Sequence, residues 1–177
     1  MLKLEKFFDR IADWIGYISG ALMILMMMNV FYDVIMRYFF RTGSIAFQEL
    51  EWHIFAMVFL LGISYALKED GHVRVDVIYD TLSPQKKAVI NLVGTIVFLI
   101  PFSLLIAFGS IDFVLESYHQ MEESGDPGGL THRWLIKAFI PASFFLLVFN
   151  SVGSIVKNYN IFKGIGRDYS ENAEGAK

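Results

Sequence analysis

Four long apolar stretches constrain the fold of this chain more than any other feature of its sequence. Three of them contain no charged residue over 19 to 24 positions, and the remaining one has charged residues only near its start. As α-helices they would be about 28 to 36 Å long, which is the length needed to cross the hydrocarbon layer of a membrane. The sequence therefore predicts an all-α integral membrane protein with four transmembrane helices, at about residues 14–37, 47–67, 86–118 and 133–157.

The composition of the chain excludes several classes of protein. The 177 residues are 55% hydrophobic with a net charge of −3, and no basic patch suggests a nucleic-acid partner. The absence of cysteine excludes disulfides, thiol catalysis and thiolate metal sites. The length allows one transmembrane domain, predicted at 14–158, without a second, soluble domain.

Short polar segments precede, connect and follow the predicted helices. Residues 1–13 place apolar and charged side chains at helical spacing, which is typical of an amphipathic helix in the membrane interface. The same pattern fits an N-terminal extension of the first transmembrane helix equally well. A second short interfacial helix is predicted near 74–82, and residues 159–177 are predicted to form a polar cytoplasmic tail.

The distribution of lysine and arginine predicts the orientation of the chain in the membrane. Eleven of these residues lie in the N-terminal segment, the connection between the second and third helices, and the tail. The two other loops and their flanks contain four, namely Arg37, Arg41, Arg133 and Lys137. Because cytoplasmic segments carry the excess of positive charge, both termini are predicted to be cytoplasmic and the two other loops to face the periplasm or the exterior.

Polar residues near the end of the first helix form a candidate site. Asn29, Asp33 and Arg37 recur every fourth residue and therefore share one helix face. Ionisable groups at membrane depth usually face a partner or water, so this stripe fits either a substrate or ion site or a structural Asp33–Arg37 pair. The structural pair is favoured because one helical turn separates the two residues and a long arginine side chain can reach the interface.

The start of the second helix carries a further pair, Glu49 and His53, with the same spacing. A tight turn joins the first two helices, and we expect Glu49 to meet Arg37 or Arg41 across it. Together these residues are predicted to be structural anchors rather than parts of a reaction site. The complete set of predicted anchors is Asn29, Asp33, Arg37, Glu49 and His53.

No catalytic, substrate-binding or metal-binding residue is predicted, and no cofactor. Four histidines are present, but only His53 lies near a transmembrane helix, whereas haem ligation in a bundle needs histidines that face each other. No nucleophile–base pair and no phosphate-binding glycine loop occurs in the sequence. The predicted helices also offer few polar groups near the membrane midplane, where transport sites usually lie. The protein is therefore not expected to be an enzyme.

Several short motifs match one known family in order along the chain. They are Asn29-Val30, Arg37-Tyr38, Gln48-Glu49-Leu50, Gly62, His72-Val73-Arg74-Val75-Asp76, Ser83-Pro84 and Pro141. In these motifs the chain resembles the small membrane subunit of tripartite ATP-independent periplasmic (TRAP) transporters. The resemblance covers nearly the whole chain.

This resemblance implies a scaffold in the bacterial inner membrane. The small subunit would support a large elevator-type permease subunit that imports an organic acid together with sodium, and a periplasmic binding protein would deliver the substrate. Membrane lipid would be a further partner. The candidate docking residues for the binding protein are Arg41, Glu122, Glu123, Asp126, His132 and Arg133. The alternative is a self-sufficient homodimeric transporter in which Asp33 carries protons.

Overall fold

The computed structural model describes residues 2–71, 79 and 81–165, and among these the regular elements are all helices, with no strand. Helix α1 is Leu2–Phe39 and α2 is Ile45–Lys68. The third span, Pro84–His119, consists of α3 (Pro84–Gly94), a π-helical turn (Thr95–Leu99), α4 (Ile100–Gly109) and α5 (Ile111–His119). The last helix, α6, is Trp134–Phe162. All four are long and apolar enough to cross a membrane, so the predicted architecture is confirmed.

The four antiparallel spans give the bundle two distinct ends. The loop end carries the turn at 40–44 and the loop at 120–133, and the terminal end carries the N-terminus and the end of α6. At the terminal end, α1 begins at Leu2 and continues without a break. Because no glycine or proline precedes Gly16, nothing interrupts the helix. Residues 2–13 therefore extend the first helix instead of forming a separate one, and their position in the interface stays a prediction.

Two further sequence predictions fall largely outside the described residues. Of the interfacial helix predicted near 74–82, the structure describes only Tyr79, Thr81 and Leu82. The His72–Asp76 motif lies wholly outside the described residues. The predicted tail is described only as far as Ile165. The boundaries that the structure does give lie close to the predicted ones for the second and third spans.

The interior of the bundle is more polar than its surface. Among the described residues, fourteen polar or charged side chains are buried, against eight apolar ones. Large apolar side chains such as Phe98, Leu105 and Met28 point outward. A soluble protein shows the opposite arrangement. This distribution places hydrocarbon-compatible side chains where lipid would contact the protein.

Helix α1 packs through a single stripe against α2 and α6. Together with the half-buried Leu22 and Met26, its buried residues recur at alternating intervals of three and four, which is the spacing of left-handed helix packing; the buried ones are Phe8, Ala12, Ile15, Ser19, Asn29 and Asp33. Gly16 beside this stripe admits the ring of Tyr65, since an added Cβ would lie 2.6 Å from Tyr65 Cδ2. Close approach of α1 and α2 therefore depends on that glycine.

The third span packs against α6, and its contacts with α1 and α2 are isolated ones at most. Pro101 lies just after the π-helical turn. Proline has no N–H and its ring clashes with the carbonyl four residues earlier, and a π turn accommodates both effects. A second irregularity occurs at Ser110, whose hydroxyl donates a hydrogen bond to the Ile106 carbonyl over 2.7 Å. The span therefore continues as far as predicted, but it is irregular at two points.

Candidate functional site

The predicted anchors of α1 make two contacts at the loop end, one with α2 and one within α1. The Asn29 amide donates a hydrogen bond to the Phe47 carbonyl at a distance of 2.8 Å, which joins α1 to the start of α2. Asp33 is buried and forms an ion pair with the half-exposed Arg37. This pair is the structural alternative favoured by the sequence. Both interactions occupy polar groups that would otherwise be unsatisfied within the membrane.

Glu49 has different partners from those predicted. Its carboxylate accepts hydrogen bonds from the Ser124 hydroxyl at 2.5 Å and from the Leu130 backbone N–H at 2.6 Å. The expected contact with Arg37 or Arg41 was therefore wrong. Arg37 is already paired within its own helix, and Arg41 is exposed in the turn. Glu49 thus connects loop 120–133, which is distant in sequence, to α2.

The loop that Glu49 holds is also ordered by its own backbone. Ser124 N–H bonds to the Leu130 carbonyl, and Arg133 N–H bonds to the Glu122 carbonyl, each over 3.0 Å. Gly129 leaves room for this arrangement, because a Cβ there would lie 2.5 Å from Ser124 Oγ and 2.7 Å from the Glu49 carboxylate. The loop is therefore ordered by backbone hydrogen bonds as well as by Glu49.

A cluster of aromatic and cationic groups packs beside the Glu49 contact. His53 is buried, and its Nδ1 donates a hydrogen bond to the Glu49 backbone carbonyl at 2.6 Å. The His53 ring stacks on Trp52 with centroids 3.8 Å apart, and the Arg133 guanidinium lies 5.5 Å from the Trp52 ring. Cation–π contacts of this kind are favourable near the membrane surface. Arg133 is consequently engaged in packing within the chain.

Glu122 forms an ion pair with Lys137 at the start of α6. The Lys137 ammonium also lies 4.0 Å from the centre of the Phe113 ring, so it connects the loop to both the third span and α6. The hydrogen bond from Lys137 holds the pKa of the Glu122 carboxyl below its ordinary value of 4.5. Glu122 is thus stabilised as an anion where the loop meets the bundle.

The lowered pKa of Glu122 predicts an acid-sensitive contribution to stability. A carboxyl whose folded-state pKa is depressed stabilises the fold above its ordinary pKa of 4.5, and this contribution is lost progressively as the pH falls from there through the lowered folded-state pKa. Lys137→Met keeps an apolar contact with Phe113 but removes the ion pair. We expect its melting temperature to fall less than that of the wild type between pH 7 and pH 4. Equal losses in the two proteins would contradict the assignment.

The structure brings most of the predicted docking residues together in one loop. Glu123, Asp126 and His132 are exposed there, whereas Glu122 and Arg133 are half-buried and paired. Arg41 is exposed in the separate turn at 40–44. Sequence reasoning missed Ser124, Gly129, Trp52 and Lys137. The only available signal was the Gly128-Gly129 pair, which marks a turn without naming its contacts.

A comparison with known families decides the type of protein. A family model described as the DctQ component of tripartite ATP-independent periplasmic transporters matches residues 26–160. The chain belongs to the DctQ family. The matched region includes the loop-end residues of α1, all of α2, the third span and nearly all of α6. The resemblance inferred from the short motifs is therefore confirmed.

Individual relatives agree with this assignment. One putative TRAP transporter small permease protein of Haemophilus influenzae is 26% identical over 161 residues, covering 89% of the chain and 91% of the relative. A second from that organism is 31% identical over 127 residues, covering 72% and 79%. The sialic acid TRAP transporter permease protein SiaT of Haemophilus influenzae is 26% identical over 159 residues, which are 89% of this chain but 24% of SiaT.

These findings identify a multi-pass protein of the bacterial inner membrane that is a subunit of a TRAP transporter. Membership of a transporter family implies a role in transport and not in catalysis. In this chain, the loop-end contacts of Glu49 and the charged loop 120–133 form the candidate functional site. It is built from two spans and a loop whose positions depend on one another.

Proposed function

We propose that this chain is the small scaffold subunit of a sodium-driven TRAP transporter that imports an organic acid. It holds a large elevator-type permease subunit in place and contributes to the docking of a periplasmic binding protein. The observation that carries this proposal is the pair of hydrogen bonds by which Glu49 of α2 holds loop 120–133 at the loop end. The exposed acidic residues of that loop, Glu123 and Asp126, are available to a soluble partner.

The internal contacts at the loop end support a scaffold role. Asn29 joins α1 to the start of α2 and Glu49 joins α2 to the loop, while Asp33 pairs with Arg37 inside α1. The similarity to a quarter of SiaT supports an association with a large permease, because there the matching region belongs to one longer permease protein. A scaffold needs a rigid arrangement of helices, and these contacts provide one.

The alternative of a self-sufficient homodimeric transporter requires Asp33 to take up and release a proton. Asp33 is buried and already engaged with Arg37 one turn away. Breaking a charge-assisted contact of this kind in each transport cycle would leave a buried group uncompensated, which is costly. The geometry therefore favours the scaffold over the proton carrier.

The proposed orientation places the loop end in the periplasm. Eleven of the fifteen lysine and arginine residues lie toward the termini or in the 68–87 connection, and positively charged segments remain in the cytoplasm. In this orientation the exposed loop faces the compartment in which a soluble binding protein diffuses. Both termini would be cytoplasmic.

Reversing the exposed acidic charges of the loop tests the docking proposal. The double variant Glu123→Lys/Asp126→Lys should raise the half-saturating concentration of the binding protein about fivefold or more, because two exposed attractions become repulsions. Substrate uptake into proteoliposomes with a sodium gradient measures this concentration. The effect should decrease with added salt, since such charges are screened within about 10 Å at 0.1 M.

The matched control is Glu69→Lys, which reverses an exposed acidic residue at the terminal end. It should leave the half-saturating concentration unchanged. Co-purification of the large permease should be the same for all three proteins, because the double variant leaves the contacts of Glu49 and Glu122 in place, and Glu69→Lys removes an ion pair with its sequence neighbour Lys68 while the pair between Lys68 and Asp13 remains. An unchanged half-saturating concentration in the double variant would remove the loop from the docking site. Failure of the wild-type chain to co-purify with a large permease would contradict the scaffold role itself.

A further inference from the structure

Helix α1 projects beyond its neighbour α2 at the loop end of the bundle. The Asn29 amide bonds to the Phe47 carbonyl, so these two residues lie at about the same level. Helix α2 begins at Ile45, just before that level, whereas α1 continues well past it to Phe39. At a rise of about 1.5 Å per residue, the end of α1 extends about 12 Å past the start of α2.

The projecting end of α1 carries three consecutive aromatic residues that are exposed. Tyr38 is 76% exposed, Phe39 81% and Phe40 64%, and the first two values are the highest among the large apolar side chains that the structure describes. Arg37 and Arg41 flank them, and both are exposed. We call residues 37–41 the α1 tip. It combines an apolar surface with two cationic groups.

The turn that follows the α1 tip is fixed by its backbone. The N–H groups of Phe40 and Thr42 both bond to the Met36 carbonyl, over 3.2 and 3.1 Å. Arg41 has a φ of 54°, a left-handed conformation that residues other than glycine seldom adopt. Backbone conformations of this kind are concentrated at functional sites. The tip is therefore ordered although its side chains are exposed.

Charged residues mark where α1 leaves the hydrocarbon layer of the membrane. Between Asp13 and Asp33 the helix carries no charge. This segment is about 30 Å long, which equals the thickness of the hydrocarbon core. Phe39 lies about 9 Å beyond Asp33, whereas the headgroup layer on each side is only about 5 to 7.5 Å thick. The α1 tip therefore lies at the outer edge of the headgroups, where lipid does not cover phenylalanine side chains.

Loop 120–133 lies at a similar distance from the hydrocarbon layer. Asp112 is the first charged residue after the uncharged part of the third span, and α5 continues from there to His119. That distance is about 10 Å along the helix. The α1 tip and the loop therefore border the same aqueous space. They differ in charge, because the exposed loop residues Glu123 and Asp126 are acidic and the tip is basic.

Given the function proposed above, we propose that the α1 tip is the apolar contact through which this chain binds the soluble binding protein. Tyr38, Phe39 and Phe40 enter an apolar recess of that protein, and the two arginines face acidic groups at its rim. Aromatic residues and arginine contribute most of the affinity of many interfaces, whereas exposed ion pairs contribute little. A subunit within the membrane packs against the spans, whereas the tip lies outside them. The basic tip and the acidic loop together orient the partner.

Sodium-driven uptake into proteoliposomes tests the contact, with the binding protein that supports uptake by the wild type as the titrant. Phe39→Ala should raise its half-saturating concentration about tenfold, as loss of an aromatic contact at an interface does. Phe39→Leu stays apolar and should restore most of the affinity. The effect should persist at high salt, in contrast to that of Glu123→Lys/Asp126→Lys, because salt does not screen an apolar contact.

The matched control is Phe162→Ala, which truncates an exposed phenylalanine at the terminal end. It should leave the half-saturating concentration unchanged, and the large permease should co-purify with both variants. An unchanged concentration in Phe39→Ala, or an equal rise in Phe162→Ala, would overturn the inference and leave the proposed function intact. Wild-type uptake that needs no binding protein would contradict the proposed function instead.

Photo-crosslinking identifies what covers the α1 tip. The photoreactive residue p-benzoylphenylalanine replaces Phe39 in the chain co-purified with the large permease, and the vesicles are illuminated with the same binding protein present. An adduct with the binding protein is expected. The same replacement at Phe31, which is also exposed but lies about 12 Å deeper along α1, should give none. Adducts at position 39 with lipid alone, or with the large permease alone, would assign the tip to that neighbour and overturn the proposal.

Discussion

Glu49→Gln is expected to release loop 120–133 from α2 and to lower the melting temperature of the purified chain by several degrees. The wild-type carboxylate accepts bonds from Ser124 and from the Leu130 N–H. A glutamine of the same shape offers only one acceptor oxygen, and its NH₂ group would face one of the two donors. At least one donor therefore loses its partner in a partly buried setting.

Hydrogen–deuterium exchange at the Leu130 amide measures this effect directly. The amide should be protected in the wild type and should exchange faster in Glu49→Gln, because opening of the loop exposes it. Glu51→Gln is the matched control, since it makes the same chemical change two residues away in a half-buried side chain. Unchanged protection of Leu130 in Glu49→Gln would show that the carboxylate does not hold the loop.

Gly153→Ala is expected to destabilise the bundle at its terminal end. An added Cβ at Gly153 would lie 2.5 Å from the Cβ of Phe8, close to the backbone of α1, where a side-chain rotation cannot remove the clash. Phe8 is buried and also packs against Phe149, with ring centroids 5.0 Å apart. The helices α1 and α6 must therefore separate. Overpacking of this kind costs about 1 to 3 kcal/mol.

Thermal unfolding of the chain in detergent measures the loss. Gly62→Ala is the control, because an added Cβ at Gly62 meets nothing within 4 Å. Alanine is the better helix former by about 1 kcal/mol, so Gly62→Ala should be neutral or slightly stabilising. Equal melting temperatures for Gly153→Ala and Gly62→Ala would contradict the close packing of α1 on α6.

Interactions within one helix could be inferred from the sequence. Asp33 and Arg37 are four residues apart, and that spacing alone places them on one face, so the favoured structural pair is the one that the structure contains. The same reasoning could not find the partners of Glu49. Ser124 and Leu130 lie 75 and 81 residues further along the chain, and no periodicity connects positions so far apart.

Whether residues 1–13 continue the first helix also could not be decided from the sequence alone. The pattern of residues 1–13 fitted both an interfacial helix and an extension of α1, since both have the same helical spacing. The choice depends on what the segment packs against. Phe8 is buried against Gly153 and Phe149 of α6, and this contact holds the segment in line with the rest of α1.

The sequence by itself determined the number, length and approximate boundaries of the transmembrane helices, because the cost of placing charge or unpaired backbone in lipid acts on each apolar stretch separately. It also determined the family, through short motifs in a fixed order. Only the tertiary structure decided how loop 120–133 is held and how far α1 projects past the start of α2. Both depend on contacts between different segments of the chain, and such contacts form only when the helices pack.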